Sequence, residues 1–254
     1  MNKLTVVLPA YNEEENIKTM VERWQQFREV LTDQYGLELQ IVAVNDGSQD
    51  RTREIAEDLE KEHDNFKLLN HPRNKGLGEA VKTGISYFVR ECPKSTHLCL
   101  MDCDNTQDPV YLTDMLNRMD KSSADVVIAS RYQKGAEVKG VSGIRLLMSG
   151  GAKYVFSLLL HLPGVKDYTC GYRLYGRRIL ESATERFGED LVEESGFTCM
   201  VELLYKLHCC GAVFAEIPFA LRYDNKKGAS KMAVLKTAVG SIRLALRLKK
   251  IEKL

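Results

Sequence analysis

The feature that most constrains this chain is a recurring pair: a short apolar run, then at once a cluster of Asp, Asn, Glu or Ser. Leu4–Leu8, Leu39–Val44, Phe66–Leu69, Leu98–Met101 and Val126–Ala129 are the apolar runs. Near-continuous apolarity over so few residues suits strands buried on both faces of a parallel sheet. Longer helical patterns separate them. Glu13–Leu31 carries Ile17, Met20, Val21, Trp24, Phe27 and Leu31 at helical spacing, and Thr52–Lys61, Leu77–Arg90 and Pro109–Met119 repeat the idea. The resulting β-α-β-α order predicts an α/β chain with a doubly wound, mostly parallel sheet and flanking helices. In such sheets ligands bind beyond the carboxyl ends of the strands, which is where these polar clusters fall.

After Arg131 the pattern changes. A Gly-rich loop (KGAEVKGVSG) precedes a long apolar helix near Arg145–Leu162, followed by Asp167–Tyr175 and a further helix containing Glu202. Residues 1–231 read as one domain, with a nucleotide-binding half at 1–131 and an acceptor half at 132–231. The last segment, 232–254, sets Val234, Leu235, Ala238, Val239, Ile242, Leu246 and Leu248 against Lys236, Arg243, Arg247, Lys249, Lys250 and Lys253. This basic amphipathic helix either docks on the core with a solvated face or lies in a membrane interface.

Composition excludes several classes. The 36 Lys+Arg against 35 Asp+Glu give a formal charge of +1, so no global field draws the chain onto nucleic acid. The apolar run before the acidic NEEEN cluster is too short for a signal peptide, so a cytoplasmic protein is expected. Seven cysteines without a Cys-x-x-Cys pair read as reduced thiols. His97 and His208 lack zinc-ligand spacing. The longest nearly uncharged stretch, Tyr154–Val165, falls short of the roughly 20 residues that span a bilayer.

Three strand ends carry the candidate chemistry. The first exits into Pro9-Ala10-Tyr11-Asn12-Glu13, where Tyr can pack on a base and Asn or Glu can bond base or ribose; an acidic helix start explains the segment equally well in isolation. The second exits into Asn45-Asp46-Gly47-Ser48-Gln49-Asp50, where Asp46 can accept from base or ribose, and Ser48 or Asp50 can cap the next helix. The fourth runs into Asp102-Cys103-Asp104-Asn105-Thr106-Gln107-Asp108-Pro109. Two carboxylates at i and i+2 after an apolar strand repel one another unless a cation or hydrogen-bond donors compensate them. A hard divalent ion, Mg2+ or Mn2+, that also binds a diphosphate would do so. An acidic cap on the helix after Pro109 accounts for Asp108 but not for Asp102 and Asp104.

Taken in order, these motifs resemble the family 2 glycosyltransferases of GT-A fold. Asn74-Lys-Gly-Leu-Gly-Glu-Ala80, Ser130-Arg-Tyr132, Asp167-Tyr-Thr-Cys-Gly-Tyr-Arg173 and Gly228-Ala-Ser-Lys231 extend the resemblance to the polyprenyl-phosphate glycosyltransferases, the dolichol-phosphate mannose synthase group. The resemblance implies that Pro9, Tyr11, Glu13, Val44 and Asp46 hold the nucleoside, that Asp102, Cys103 and Asp104 lie at the ribose and diphosphate with both carboxylates on the metal, and that Arg131 and Lys231 bind phosphates. Asp104, Arg131, Lys231 and Asp167 become the candidate catalytic residues. The chain departs from that group at Asn225, where Arg is common and where Arg222, Lys226 or Lys227 would have to supply the charge. It departs again at Thr106, where a metal ligand is often found and Gln107 is the neighbouring substitute.

The resemblance implies transfer of a sugar from a nucleotide donor to a polyprenyl phosphate, with inversion. A phosphate acceptor needs no strong base, and Lys231, Arg131 and Arg173 would steer the two phosphate groups together. A sugar or lipid hydroxyl acceptor would need Asp167 or Glu202 as base, although Glu202 can equally be a buried partner of Lys206. Partners implied are a membrane surface, where the protein would be peripheral on the cytoplasmic face, and a membrane-anchoring subunit. The rivals are a catalytically silent nucleotide-binding protein and a nucleotidylyltransferase. The latter would open with a Gly-rich phosphate loop that PAYNE lacks.

Overall fold

The computed structural model describes residues 1–140, 154, 156–225 and 234–251. A seven-stranded sheet forms its centre. Strands β1 (Asn2–Ala10), β2 (Leu37–Asn45), β3 (Phe66–Asn70), β4 (Ser95–Leu100), β5 (Val126–Ser130), β7 (Arg173–Gly176) and β8 (Phe214–Pro218) lie in the order β3-β2-β1-β4-β7-β5-β8. All neighbours run parallel except β7, which is antiparallel to both β4 and β5. A small second sheet pairs β6 (Glu137–Lys139) with β9 (Ala220–Arg222).

Four of the five apolar runs have both faces covered, while Phe66–Leu69 forms the edge strand with Lys67 exposed and Phe66 and Leu68 buried. Leu4, Val6, Val7 and Leu8 are wholly buried, as are Ile41–Val44 and Val126–Ala129. Helices α1 (Ile17–Gln26), α2 (Arg28–Tyr35), α3 (Thr52–Glu62), α4 (Leu77–Glu91), α5 (Tyr111–Ser122), α6 (Arg177–Phe187) and α7 (Cys199–Cys209) flank the sheet. Helix α4 crosses β1 so closely that a Cβ at Gly84 would meet Val7 Cγ1 at 2.4 Å. The expected helix Glu13–Leu31 is instead two. Residues 13–16 form a turn, and Phe27, at φ −84 and ψ −7, separates α1 from α2. At that break Phe27 sets its ring edge-on to Trp24, with centroids 6.2 Å apart.

In the second half, β7 was not anticipated as a strand. It fills the gap between β4 and β5, so residues from both halves build one sheet. Of the expected helix at Arg145–Leu162, residues 156–160 are helical and most of the rest lies outside the described residues. Helix α8 (Val234–Ile251) docks on α7, burying Leu244, Ala245 and Leu248 while Ile242 and Leu246 stay exposed. Among the described residues no helix is long and apolar enough to cross a membrane. All seven cysteines are free thiols.

Candidate functional site

The carboxyl ends of β1, β2, β4 and β5 converge at one end of the sheet, and the loops leaving them are stitched together. Asp46 N donates to Ala10 O at 2.8 Å. Asn12, held at φ +53, donates its N–H to Ser48 Oγ at 3.0 Å and accepts Gln49 N at 2.8 Å. Glu13 N donates to Thr52 Oγ1 at 2.7 Å, and Asp50 accepts Thr52 N at 3.0 Å at the start of α3. Pro9 and Tyr11 are half-buried at this junction, and Val44 beneath them is fully buried.

Asp46 is the hub of the β2 exit. Its carboxylate lies 2.7 Å from His71 Nδ1 and accepts Lys75 N at 2.9 Å and Gly76 N at 2.8 Å. His71 Nε2 in turn meets Thr83 Oγ1 at 2.9 Å. A carboxylate offers about four lone-pair positions, so these three bonds take up most of its accepting capacity.

At the β4 exit each acidic side chain has its own bracket. Gln107 grips Asp102 twice, accepting its N–H at 3.1 Å and donating to Oδ2 at 2.8 Å. Thr106 donates its hydroxyl to Asp104 Oδ1 at 2.6 Å and its N–H at 3.2 Å. Cys103 between them is buried. Asn105, at φ +60, donates to Asn16 Oδ1 at 3.1 Å, and Asn16 donates to Glu13 Oε2 at 2.7 Å, which ties the β4 exit to the β1 exit. Asp108 faces away. It bonds Arg23 and accepts Val110 N at 3.0 Å near the start of α5.

Both Asp102 and Asp104 are half-buried. No group of three or more His, Cys, Asp or Glu suited to a metal occurs among the described residues. This donor set fits a hard cation that takes one or two carboxylates from the protein and its remaining ligands from substrate phosphates and water, the habit of Mg2+. It does not fit a closed structural site.

Arg131 leaves the end of β5 directly into Asp167. Arg131 N, Nε and Nη2 donate to the Asp167 carboxylate at 3.0, 2.8 and 2.6 Å, and Nη2 also donates to Thr169 Oγ1 at 2.6 Å. Asp167 has no solvent exposure, whereas the Arg131 side chain keeps 17%. Burial alone would raise the Asp167 carboxyl, but the Arg131 charge and hydrogen bonds outweigh it and hold it below the usual carboxylate range. The same charge pair raises the Arg131 guanidinium against its own desolvation. Glu216 on β8 holds the backbone of this segment, accepting Lys166 N at 2.6 Å and Asp167 N at 2.8 Å.

The β4 exit thus carries two bracketed carboxylates and the β5 exit an arginine held by Asp167. The profile described as "Glycosyl transferase family 2" matches residues 5–183. The chain is a family 2 glycosyltransferase. This glycosyltransferase is 29% identical over 229 residues to the polyprenol monophosphomannose synthase of Mycolicibacterium smegmatis, covering 90% of this chain and 80% of that protein. It is 29% identical over 251 residues to the dolichol-phosphate mannosyltransferase of Pyrococcus furiosus, covering 98% of this chain but 64% of that protein's length. Among solved structures, glucosyl-3-phosphoglycerate synthase of Mycobacterium tuberculosis, bound to Mn2+, UDP and glucosyl-3-phosphoglycerate, superposes with a TM-score of 0.66 at 17% identity over 99% of this chain and 80% of that one. S. aureus TarS 1-349 with UDP-GlcNAc gives 0.61 at 16% identity over 98% and 66%. The glycosyltransferase therefore has a GT-A-like fold.

The structure redistributes several expected residues of the glycosyltransferase. Arg173, expected to steer phosphates, is fully buried on β7, and its guanidinium donates to Met200 O at 2.7 Å and Tyr168 O at 2.9 Å. Glu202 is fully buried on α7 and paired with Lys206 at 2.9 Å. Arg222 forms an ion pair with Asp224 at 2.7 Å. Lys226, Lys227, Lys231 and the Gly228–Lys231 motif lie outside the described residues. His71 and Glu216 were missed. A single His after a strand and a single Glu within one carry no spacing signal, and only the fold brings them to Asp46 and Asp167.

Proposed function

We propose that this family 2 glycosyltransferase moves a sugar from a nucleoside diphosphate to the phosphate oxygen of a polyprenyl phosphate, inverting the anomeric carbon. The observation that carries the acceptor class is the state of the two carboxylates that the sequence offered as a base for a hydroxyl. Asp167 is buried against Arg131 with its carboxyl held low, and Glu202 is buried against Lys206. A hydroxyl acceptor requires such a base. A phosphate monoester, with a second pKa of about 6, already arrives as an anion. The named activities of the mycolicibacterial and pyrococcal relatives support the same acceptor.

In this reading Pro9, Tyr11, Glu13, Val44 and Asp46 form the nucleoside pocket, with Asp46 accepting from base or ribose. Asp102, Cys103 and Asp104 lie at the ribose and diphosphate, and Asp102 and Asp104 hold Mg2+ or Mn2+. A bound divalent cation offsets the charge that builds on the departing diphosphate. Gln107 and Thr106 each hold one of the two carboxylates before the ligand arrives, which lessens the reorganisation that binding requires. Asp167 orients Arg131, which would meet a phosphate oxygen with its guanidinium. Lys231 supplies a second phosphate contact. Catalysis then reduces to positioning two anionic groups in line and stabilising the charge that develops. The acceptor brings the enzyme to the cytoplasmic face of a membrane, through α8 or an anchoring subunit.

The test is transfer from a panel of nucleotide sugars, with Mn2+ present, to a polyprenyl phosphate or to the corresponding polyprenol. Product with the phosphate alone, lost in Asp104→Ala, is expected. Transfer to the polyprenol instead would overturn the acceptor class. No turnover with any donor would favour a silent nucleotide-binding protein.

A further inference from the structure

The turn that leads into α4, residues 74–78, is held on one side by Asp46 through Lys75 N and Gly76 N. Its other side rests on the loop before α7. Gly78 N donates to Ser195 O at 3.1 Å. A Cβ at Gly78 would lie 1.8 Å from Glu194 O, and one at Gly76 would lie 2.4 Å from Ser195 O. Two backbones therefore touch where no side chain fits between them.

The backing loop is itself anchored from behind. Glu193 N and Glu194 N both donate to Glu202 Oε2 at 2.8 Å. The other Glu202 oxygen takes Lys206 at 2.9 Å and Arg247 of α8 at 3.0 Å. Arg247 also meets Glu194 at 3.0 Å, and Lys206 meets Glu193 at 2.9 Å. A wholly buried carboxylate with two cations and two backbone donors is stable only as a complete set, because removing one partner leaves buried charge or an unmet donor. Nothing in the proposed chemistry uses Glu202, yet it lies at the centre of this set.

We infer that Glu202 is a positioning residue for the donor, and that the C-terminal helix completes the brace through Arg247. The carboxylate fixes residues 193–195, these fix Gly76 and Gly78, and Gly76 fixes Asp46. Docking of α8 thus sets how often the nucleoside pocket is formed. This rests on the donor lying at the strand ends, as proposed above. A ligand whose competent pocket is present a fifth of the time binds about fivefold more weakly, which is the size of effect expected when the brace is loosened.

The test uses the full chain with Arg247→Met, which keeps an apolar stem, Arg247→Lys, and Glu202→Gln. Amide hydrogen exchange at Gly76 and Gly78 is read without ligand, and binding of UDP and of GDP with Mn2+ is read by calorimetry. In Arg247→Met we expect about tenfold faster exchange at these amides, about fivefold weaker nucleoside-diphosphate binding with a matching rise in donor KM, and kcat within about twofold. Arg247→Lys restores both, since a single nitrogen of Arg247 makes both contacts. Glu202→Gln shows the larger effect. Should Glu202→Gln fail to fold, the Arg247 pair still decides. Normal binding by the wild type with unchanged exchange or unchanged affinity in Arg247→Met overturns the brace alone. A wild type that binds neither nucleotide overturns the donor reading, and the inference with it.

Discussion

Replacing Asp167 with Asn removes one charge from the strand-end arginine and keeps the side chain's shape. Oδ1 accepts Arg131 Nη2, Thr169 N and Cys170 N, while Oδ2 accepts Arg131 N and Nε. An Asn can place its oxygen at only one of these positions. With oxygen in the Oδ1 place, its NH2 confronts two donors of Arg131 and both bonds are lost. Both are accepted by an ionised carboxylate and are worth about 1.5–3 kcal/mol each. Arg131, only 17% exposed, also loses its counter-ion. Breaking a buried pair from one side costs about 3–5 kcal/mol in comparable cases, and the bond count agrees. With an m-value of about 3 kcal/mol/M in urea, the unfolding midpoint at pH 7 falls by about 1 M or more.

The same variant has a pH signature. The Asp167 carboxyl is held below its unfolded value of about 3.9. A depressed folded pKa gives stability that is fully present above about pH 4 and is lost as pH falls through the folded value. Urea titrations of wild type and Asp167→Asn should therefore differ most near neutrality and converge in acid. Equal midpoints at pH 7, or a gap that persists undiminished in acid, would refute the pairing as the source of the effect.

Three further outcomes are expected. Gly84→Ala drives a Cβ to 2.4 Å from Val7 Cγ1 and should cost about 1–3 kcal/mol by denaturant titration, because β1 is packed on both faces. His71→Ala removes one anchor of Asp46 and one of Thr83, and should weaken nucleoside-diphosphate binding about fivefold by calorimetry, equivalent to about 1 kcal/mol. Burial pushes the Cys170 and Cys199 thiols up to about 12, so mass spectrometry after alkylation at pH 8 should find them unmodified while the half-buried Cys209 and Cys210 are labelled.

What was legible in the sequence follows from what each residue has to do locally. The runs at Leu4, Leu39, Phe66, Leu98 and Val126 read as strands because each is short, apolar and bounded by turn-forming residues. Strand β7 was not legible, because four residues that include a buried Arg173 give no alternation and their partners lie far away in sequence. The break at Phe27 was hidden too. The apolar spacing runs on through it, and neither Gly nor Pro marks it. Asp102 and Asp104 stood out because close carboxylates after an apolar strand need an explanation wherever they sit. The pairing of Arg131 with Asp167 did not, since the two are 36 residues apart and only the packing of β5 against β7 and β8 brings them into contact.

The central claim is that Asp102 and Asp104 hold a divalent cation together with the donor's diphosphate. Crystals soaked with Mn2+ and a nucleoside diphosphate test it most directly through the anomalous signal of the metal. A peak is expected about 2.1 Å from a carboxylate oxygen of Asp104 or Asp102, with diphosphate oxygens completing the shell and the base against Tyr11 and Asp46. A peak elsewhere, with the nucleotide bound away from the β4 exit, would contradict it.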